Sequence, residues 1–208
     1  MKKLSVGITV LLCLALASCM DMDLRQIIAD IIAGAPGPGT PSAPNTPSGL
    51  AVGSVTITTL SVNWGSVTDA TSYQVYRDTS SGGAFTTKVY DGTDTSFIDT
   101  GLKSGITYYY KVKATNSAGS SDLSAAVLGA TLVFVYVSNQ GTNNVSAYLV
   151  DGTTGVLTPV SSSPFGTGAL TSPQCVAVDP SAKFLYTANW NGTISAFTIN
   201  DSTGALIY

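Results

Sequence analysis

The stretch LKSGITYYYKVKATNSAG, residues 102–119, decides the fold of the segment around it. Apolar and polar side chains alternate through its second half. The first set is Tyr108, Tyr110, Val112 and Ala114, and the second is Tyr109, Lys111, Lys113 and Thr115. A period of two residues is typical of a β-strand with one face in the core and the other in solvent. We therefore predict a long strand here, with its even-numbered side chains buried.

Shorter strands are predicted before this stretch. Segments that fit them lie at 60–64, 73–76, 86–90 and 97–98, with turn residues such as Ser80-Ser81-Gly82-Gly83 between them. About seven short strands in about 80 residues indicate a sandwich of two antiparallel sheets. The chain as a whole is predicted to be all-β.

The residue spacing in the same stretch resembles the fibronectin type III family. The residues that carry the resemblance are Leu102, Gly105, Tyr108, Val112, Ala114, Asn116 and Gly119. The resemblance covers residues 49–131 and implies structural roles for Trp64, Leu102 and Tyr108. Trp64 would be the family's core tryptophan, and Tyr108 its tyrosine corner, whose hydroxyl bonds to backbone.

Two departures limit what this resemblance implies. Ser104 stands where the family usually has proline, and no Arg-Gly-Asp loop is present, so integrin-type adhesion is not carried over. Tyr108, Tyr110 and Trp64 are predicted to be core residues, and Tyr76, Tyr90 and Tyr109 are better candidates for exposure.

A sequence repeat follows from Leu132. The segment 136–139 recurs at 186–189, 145–148 at 194–197, and 154–157 at 203–206. A period of 49 or 50 residues with several short strands per unit is typical of propeller blades. Strands are expected near 133–138, 144–150 and 156–160, and again near 175–179, 184–189, 193–199 and 205–208.

The repeated phrases resemble the lactonase-like, YVTN-type seven-bladed β-propeller family. Tyr-Val-Ser-Asn at 136–139, Val-Ala-Val-Asp-Pro at 176–180 and Lys-Phe-Leu-Tyr at 183–186 carry the resemblance. Residues 132–208 supply fewer than two blades, whereas closure typically takes four to eight. We therefore expect an incomplete propeller that is less stable than the sandwich, in a chain that either is truncated or pairs with something else.

The N-terminus resembles a bacterial lipoprotein signal. Lys2 and Lys3 precede an apolar run over 4–16, which is too short to span a bilayer. Leu16, Ala17 and Ser18 then match the signal-peptidase motif in front of Cys19. The resemblance implies that residues 1–18 are removed and that Cys19 carries the lipid, which would hold the protein at a membrane in the bacterial cell envelope. Because Met20 is not the aspartate associated with inner-membrane retention, the outer membrane or the cell surface is favoured.

Residues 19–48 are predicted to connect this anchor to the sandwich. Leu24, Ile27, Ile28, Ile31 and Ile32 fall on one face of a short amphipathic helix. This helix could lie among lipid headgroups, pack on the following domain or stay frayed. Residues 34–48 are rich in proline and glycine, and are predicted to be an extended linker.

The composition excludes several kinds of chemistry. The chain has no His and all 12 acidic residues are Asp, so Ser-His-Asp and Cys-His machinery and imidazole ligands for zinc are ruled out. We predict no catalytic residue, no cofactor and no metal site. Asp91 and Asp94 could suggest calcium, but a polar turn is favoured. The mild net charge of −3, without a basic cluster, argues against nucleic acid as a partner.

Cys175 is the one cysteine outside the predicted signal peptide and lipid site. It is either a reactive thiol or a small buried residue on a strand. The buried alternative is favoured, because free cysteine is usually buried and no histidine is present to deprotonate it.

Two functions fit the sequence. The first is a membrane-anchored surface or periplasmic lipoprotein that displays binding or scaffold modules for a protein or carbohydrate ligand. The second is a fragment of a lactonase-like propeller enzyme of the 6-phosphogluconolactonase type.

Overall fold

The computed structural model describes residues 41–168 and 171–208, and they form sixteen strands and one short 3-10 helix, Gln140–Thr142. The strands are β1 (Ala51–Val55), β2 (Leu60–Asn63), β3 (Ser72–Asp78), β4 (Thr87–Gly92), β5 (Ser96–Asp99), β6 (Thr107–Asn116), β7 (Gly119–Ser120), β8 (Val127–Ala130), β9 (Phe134–Asn139), β10 (Asn144–Val150), β11 (Leu157–Pro159), β12 (Phe165–Gly166), β13 (Pro173–Val178), β14 (Phe184–Asn189), β15 (Ile194–Ile199) and β16 (Leu206–Ile207). The prediction of an all-β chain is confirmed.

The first eight strands form the sandwich. Strands β1, β2 and β5 make a three-stranded sheet. Strands β4, β3, β6 and β7 make the facing sheet, which β8 joins by pairing with β6. All strand pairs are antiparallel. The even-numbered side chains of β6 from Tyr108 to Ala114 are buried and the intervening ones are not, as the alternation predicts.

The core of the sandwich lies between these two sheets. Its buried members are Leu60, Val62, Trp64, Tyr73, Val75, Leu102, Tyr108, Tyr110, Val112 and Ala114. They come from alternate positions of β2, β3 and β6 and from the segments beside them. Side chains of alternate residues on a strand point to opposite faces, so each of these strands leaves a second set of side chains on the outer face.

The prediction of an extended linker over 34–48 is corrected for residues 41–48, which lie against the sandwich. Pro44 and Pro47 are buried. The backbone carbonyl of Ser42 accepts a hydrogen bond of 2.7 Å from Asn116 Nδ2, and that of Ser48 accepts one from the Gly65 amide. Proline favours an extended backbone, but it also buries apolar surface where a neighbouring sheet offers a groove.

The repeated segments form two further sheets. In the first repeat sheet, β10 pairs with β9 along one edge, and with β11 and β12 along the other. The second repeat sheet runs in the order β13-β14-β15-β16. The predicted strands near 133–160 and 175–208 are confirmed. Strand β12 was not predicted, because two residues are too few to show a period.

The two repeat sheets stack face to face. Val145 from the first sheet packs with Leu185, Phe197 and Leu206 of the second in a small core, with Tyr136, Phe165, Val176 and Ile199 at its margin. Hydrogen bonds also join the two repeats: Tyr136 Oη donates to the Gly204 carbonyl at 3.0 Å, Ser195 Oγ to the Thr167 carbonyl at 2.9 Å, and the Ser172 amide to Asn143 Oδ1 at 2.7 Å.

The expectation that Cys175 is buried is wrong. Cys175 is a free, exposed cysteine on β13. It pairs in register with Ala188, so it lies on the face of the second repeat sheet that points away from the first. The strand assignment holds, but burial depends on which face another sheet covers.

Several predictions lie outside the described residues. They are the signal peptide over 1–18 with Leu16, Ala17 and Ser18, the lipid site at Cys19, the helix over 20–33 and the linker as far as residue 40. In the part of the chain that is described, no helix has the length and apolar character needed to cross a bilayer.

Candidate binding surface

The outer face of the five-stranded sheet carries a cluster of polar and aromatic side chains. We call it the polar–aromatic face. It comprises Gln74, Tyr76, Lys88, Asp91, Tyr109, Lys111 and Lys113. Strand register brings these residues together from β3, β4 and β6, because Gln74 lies opposite both Asp91 and Lys113, and Tyr76 opposite both Lys88 and Lys111.

Hydrogen bonds link the side chains of this face into one network. Asp91 Oδ2 accepts from Lys88 Nζ at 2.6 Å and from Gln74 Nε2 at 3.0 Å. Gln74 Oε1 in turn accepts from the Tyr76 hydroxyl at 2.9 Å. Lys113 Nζ lies 5.5 Å from the centre of the Tyr76 ring, within the range of a cation–π contact. The network holds Tyr76 in one orientation on the sheet.

Charge is fixed on this face near neutral pH. The hydrogen bond from Lys88 lowers the pKa of Asp91 below 3.8, and the same bond raises the pKa of Lys88 above 10.5. Both groups are therefore ionised at pH 7. The face offers an acceptor carboxylate, ammonium donors and tyrosine rings side by side.

A buried polar cluster beneath this face connects the two sandwich sheets. Arg77 on β3 donates from Nη1 to both carboxylate oxygens of Asp99 on β5, at 2.9 and 2.8 Å. The Tyr110 hydroxyl on β6 donates to Asp99 at 2.8 Å. Burial, with a smaller effect of Asp99, raises the pKa of Tyr110 far above its usual value, so its hydroxyl stays protonated. The cluster fixes β3 and β6, which carry the binding face.

The three predicted structural residues lie inside the sandwich rather than on its surface. Trp64, Leu102 and Tyr108 are all buried in the core. The Tyr108 hydroxyl accepts a hydrogen bond of 3.0 Å from the Lys103 amide, and the Tyr108 ring lies 5.3 Å from the Arg77 guanidinium carbon. They therefore support the polar–aromatic face without being part of it.

The three tyrosines that were candidates for exposure fall into two groups. Tyr76 and Tyr109 are half-buried on the outer face. Tyr90 is also half-buried, but its ring packs against Trp64 and Phe97 at centroid distances of 5.7 and 5.3 Å. The prediction for Tyr90 is therefore corrected: it belongs to the margin of the core. Tyr90 lies opposite the buried Val75 in the strand register, so its side chain points into the sandwich.

Gln74, Lys88, Asp91 and Lys113 were not predicted as site residues. The alternation of β3 and β6 indicates which side chains share an outer face, and that signal covers Gln74 and Lys113. It does not indicate which strand lies beside β3, so the contacts of β4 with this face depend on the fold.

A cavity lies between the sandwich and the repeat sheets. It has a volume of about 150 Å³ and is lined by Ile57, Ser104, Val133, Phe134, Tyr136, Val178, Ala182 and Ile199. Burial raises the pKa of Tyr136 to about 12, and its hydroxyl already donates to the Gly204 carbonyl. The lining contains no carboxylate and no amine, so the cavity offers apolar contact rather than acid–base chemistry.

Over 41–168 and 171–208, no three potential ligand side chains come close enough to hold a metal ion. Asp91 and Asp94, weighed above as calcium ligands, do not form a cage. The Asp91 carboxylate is occupied by Lys88 and Gln74. The Asp94 amide donates to the Tyr90 hydroxyl, which is a turn contact.

Two family models match the chain. The fibronectin type III domain matches residues 45–129, and the lactonase, 7-bladed β-propeller family matches residues 97–207. The two matches overlap in the second half of the sandwich. The first match covers the strands of the sandwich, and the second covers both repeat sheets.

The chain is also similar to parts of larger proteins. It is 44% identical over 96 residues to a poly(3-hydroxybutyrate) depolymerase of Ralstonia pickettii, covering 46% of this chain and 18% of that protein. It is 42% identical over 93 residues to exoglucanase B of Cellulomonas fimi, covering 43% of this chain and 8% of that protein. The chain thus spans less than a fifth of the length of either relative.

Among solved structures, a Fn3-like protein from Clostridium thermocellum is 34% identical. The comparison covers 42% of this chain and 92% of that one, with a TM-score of 0.39. The family assignment rests on the two family models and not on this structural comparison. Because the propeller model matches more than half of the sequence, this chain belongs to the lactonase, 7-bladed β-propeller family, and it carries a fibronectin type III domain ahead of its repeat sheets.

Proposed function

We propose that this protein is a lipid-anchored binding protein of the bacterial cell envelope, and that its fibronectin type III domain holds a polymeric ligand of the carbohydrate class. The polar–aromatic face carries the proposal. It presents Tyr76 beside Lys113 on one side and the Gln74–Asp91–Lys88 network on the other. Its residues sit on a rigid sheet braced by the buried Arg77–Asp99–Tyr110 cluster.

The chemistry of this face suits a sugar polymer. Sugar hydroxyls both donate and accept hydrogen bonds, and the face supplies ammonium donors, a carboxylate acceptor and an amide. An aromatic ring can also cover the apolar side of a sugar unit, and we take its contribution to equal that of a packed aromatic pair, about 0.5–1.5 kcal/mol. The matches to proteins named as an exoglucanase, an exochitinase and polyester depolymerases support a polymer as the ligand.

The test of this proposal is co-sedimentation of the full chain with insoluble cellulose, chitin and poly(3-hydroxybutyrate). We expect binding to one of the two polysaccharides, weakened about threefold to tenfold by Tyr76→Ala. Tyr186→Ala is the matched control, because Tyr186 is a part-exposed tyrosine on the second repeat sheet. Binding to the polyester alone, or equal losses in both variants, would contradict the proposal.

The anchor is tested separately. If Cys19 is acylated, protein from the native host fractionates with membranes and has the mass of the chain from residue 19 plus acyl groups. Two or more acyl chains anchor stably, whereas one binds only marginally. Cys19→Ser is expected to release the protein into the soluble fraction. A free thiol at Cys19 in the native protein would end this part of the proposal.

The second candidate, lactone hydrolysis, is favoured only by membership of the propeller family. The described residues form two repeat sheets, whereas a closed propeller typically has four to eight blades. The cavity beside these sheets has no carboxylate or amine in its lining. An assay with 6-phosphogluconolactone tests this candidate. We expect no hydrolysis above the buffer rate, and a rate proportional to protein concentration would establish the enzyme instead.

A further inference from the structure

The fold brings together lysines that are separated in the sequence. Lys88 on β4 and Lys111 on β6 both lie opposite Tyr76, and Lys113 lies opposite Gln74, so all three reach the polar–aromatic face. They are three of the five lysines that follow residue 40. In a chain with a net charge of −3, this face concentrates positive charge.

Two of these lysines, Lys111 and Lys113, form no ion pair in the part of the chain that the structure describes. Their Nζ atoms lie near aromatic rings, at 4.6 Å from the centre of the Phe85 ring and 5.5 Å from that of Tyr76. A cation–π contact orients an ammonium group but brings no opposite net charge. Both positive charges are therefore available to a ligand.

The carboxylates near these lysines are already engaged by other donors. Asp91 belongs to the hydrogen-bonded network of the face. Asp78 lies at the border of the face, and its carboxylate oxygens accept from the amides of Ser80 and Phe85 at 3.0 and 3.3 Å. The face and its border thus carry three ammonium groups and two carboxylates, so an anionic ligand meets a surplus of positive charge.

The two unpaired lysines lie on the same side of one strand. Alternate residues of a β-strand share a face and are about 6.6–6.8 Å apart, and the flexible lysine stem adds reach. Tyr109 continues the same row of side chains, and Tyr76 lies opposite Lys111 on the neighbouring strand. Positive charges with aromatic rings beside them suit a polymer in which each ring-shaped unit can carry a carboxylate.

We propose that the polymer held by this face is an acidic polysaccharide, an inference that rests on the proposed function. The carboxylates of its uronic acid units accept hydrogen bonds from Lys111 and Lys113, and its sugar rings pack on Tyr76 and Tyr109. A neutral polysaccharide leaves both ammonium groups without a counter-charge. Nucleic acid fits less well, because its affinity comes chiefly from neutralising many phosphates and this face offers two unpaired cations.

The test compares each acidic polymer with its own uncharged form. The full chain, with Cys19→Ser so that lipid plays no part, is titrated against beads of polygalacturonate and of alginate, and against the same polymers after methyl esterification of their carboxyl groups. We expect the acid form of at least one polymer to bind about threefold to tenfold more tightly than its ester. The difference is expected to disappear in about 1 M salt, where the screening length falls to about 3 Å.

Double variants assign the effect to this face. Lys111→Gln with Lys113→Gln should lower the affinity for the acid form to that for the ester and leave the affinity for the ester unchanged. Lys111→Arg with Lys113→Arg keeps the charge and should retain the preference for the acid form. Lys103→Gln with Lys183→Gln is the matched control, because it removes the same charge from two exposed lysines away from this face, and it should bind as the parent chain does.

The outcomes separate this inference from the proposed function. Equal binding of acid and ester forms, or binding to cellulose or chitin without binding to either acidic polymer, overturns the inference and leaves the proposed function standing. Failure to bind any of these polysaccharides overturns both. Equal losses in the two glutamine double variants also overturn the inference. So does tighter binding to polyphosphate or to phosphatidylglycerol vesicles than to either acidic polymer, because the face then selects negative charge rather than a sugar.

Discussion

At the scale of single residues, Asp99 is a buried carboxylate that links the two sandwich sheets by hydrogen bonds. It is 4% exposed and receives hydrogen bonds from Arg77 and Tyr110. Removing one partner of a buried pair leaves the others unpaired, which costs more than losing a surface pair. Since the Arg77 side chain is 26% exposed, the loss of stability on removing the Asp99 carboxylate falls toward the lower end of the range for buried pairs.

We therefore expect Asp99→Ala to lower the free energy of unfolding by about 2–3 kcal/mol. Asp91→Ala is the control, because it breaks an exposed ion pair with Lys88 and should leave the unfolding midpoint almost unchanged. Urea denaturation of the full chain, followed by tryptophan fluorescence, measures both. Similar shifts for the two variants would show that the buried cluster is not a special source of stability.

Gly204 gives a second prediction at this scale, with a control supplied by the repeat. Gly204 and its equivalent Gly155 both have a φ of +72°, a backbone conformation that favours glycine. A Cβ on Gly204 would overlap the ring of Phe134, whereas one on Gly155 would meet nothing within 4 Å. Only the first substitution therefore adds a steric clash to the backbone strain.

Gly155→Ala is expected to cost about 1 kcal/mol of stability. Gly204→Ala is expected to cost about 1–3 kcal/mol more, because Phe134 must move and loosen the contact between the repeat sheets. Thermal unfolding of the two variants measures the difference. Equal costs would mean that Phe134 moves aside freely.

At the scale of elements, equivalent turns in the two repeats use different capping side chains. Asp151 Oδ1 accepts from the amides of Thr153 and Thr154, at 2.9 and 2.7 Å. Asn200 Oδ1 accepts from Ser202 and Thr203 in the same way, at 3.1 and 3.0 Å. Of these two capping side chains, only the aspartate can titrate. The hydrogen bond from the Thr154 amide lowers the pKa of Asp151 below 3.8, and the Thr154 hydroxyl and the Thr153 amide contribute less.

A lowered carboxyl pKa stabilises the folded state above the unfolded pKa, and this stabilisation is lost as the pH falls through the folded pKa. We expect the parent chain to lose thermal stability below about pH 4. Asp151→Asn should have the melting temperature of the parent chain at pH 7 and a smaller drop in melting temperature at pH 3. Asn200→Asp should show a larger drop than the parent chain. Melting temperatures at the two pH values provide the measurement, and the same acid response in all three chains would contradict the assignment.

The elements also show how far the sequence alone determines the structure. The repeat strands are predictable, because a period of 49 or 50 residues aligns each strand with a second copy of itself. The outer position of Gln74 and Lys113 follows from alternation along β3 and β6. The exposure of Cys175 and the contact of Asp91 with Gln74 depend on which sheet or strand lies beside these residues. The local sequence pattern does not contain that information.

At the scale of the whole molecule, the sandwich and the repeat sheets have unequal cores. Ten buried residues form the core of the sandwich, whereas four form the core between the repeat sheets. Among the residues that the structure describes, few hydrogen bonds join the two regions, such as those from Ile57 to Asp201, from Leu132 to Thr56 and from Ser104 to Leu132. The sandwich therefore draws little of its stability from the repeats.

This imbalance predicts the order of proteolysis. Local opening is governed by the free energy of the region that opens, and a region with few buried apolar contacts opens first. Under limiting protease at native pH, cuts within 132–208 are expected to appear before cuts within 49–131, leaving a resistant fragment that retains Trp64. Mass spectrometry of a digestion time course identifies the fragments. Early cleavage inside β3 or β6, with the repeat sheets still intact, would contradict the prediction and make the propeller segment the more stable region.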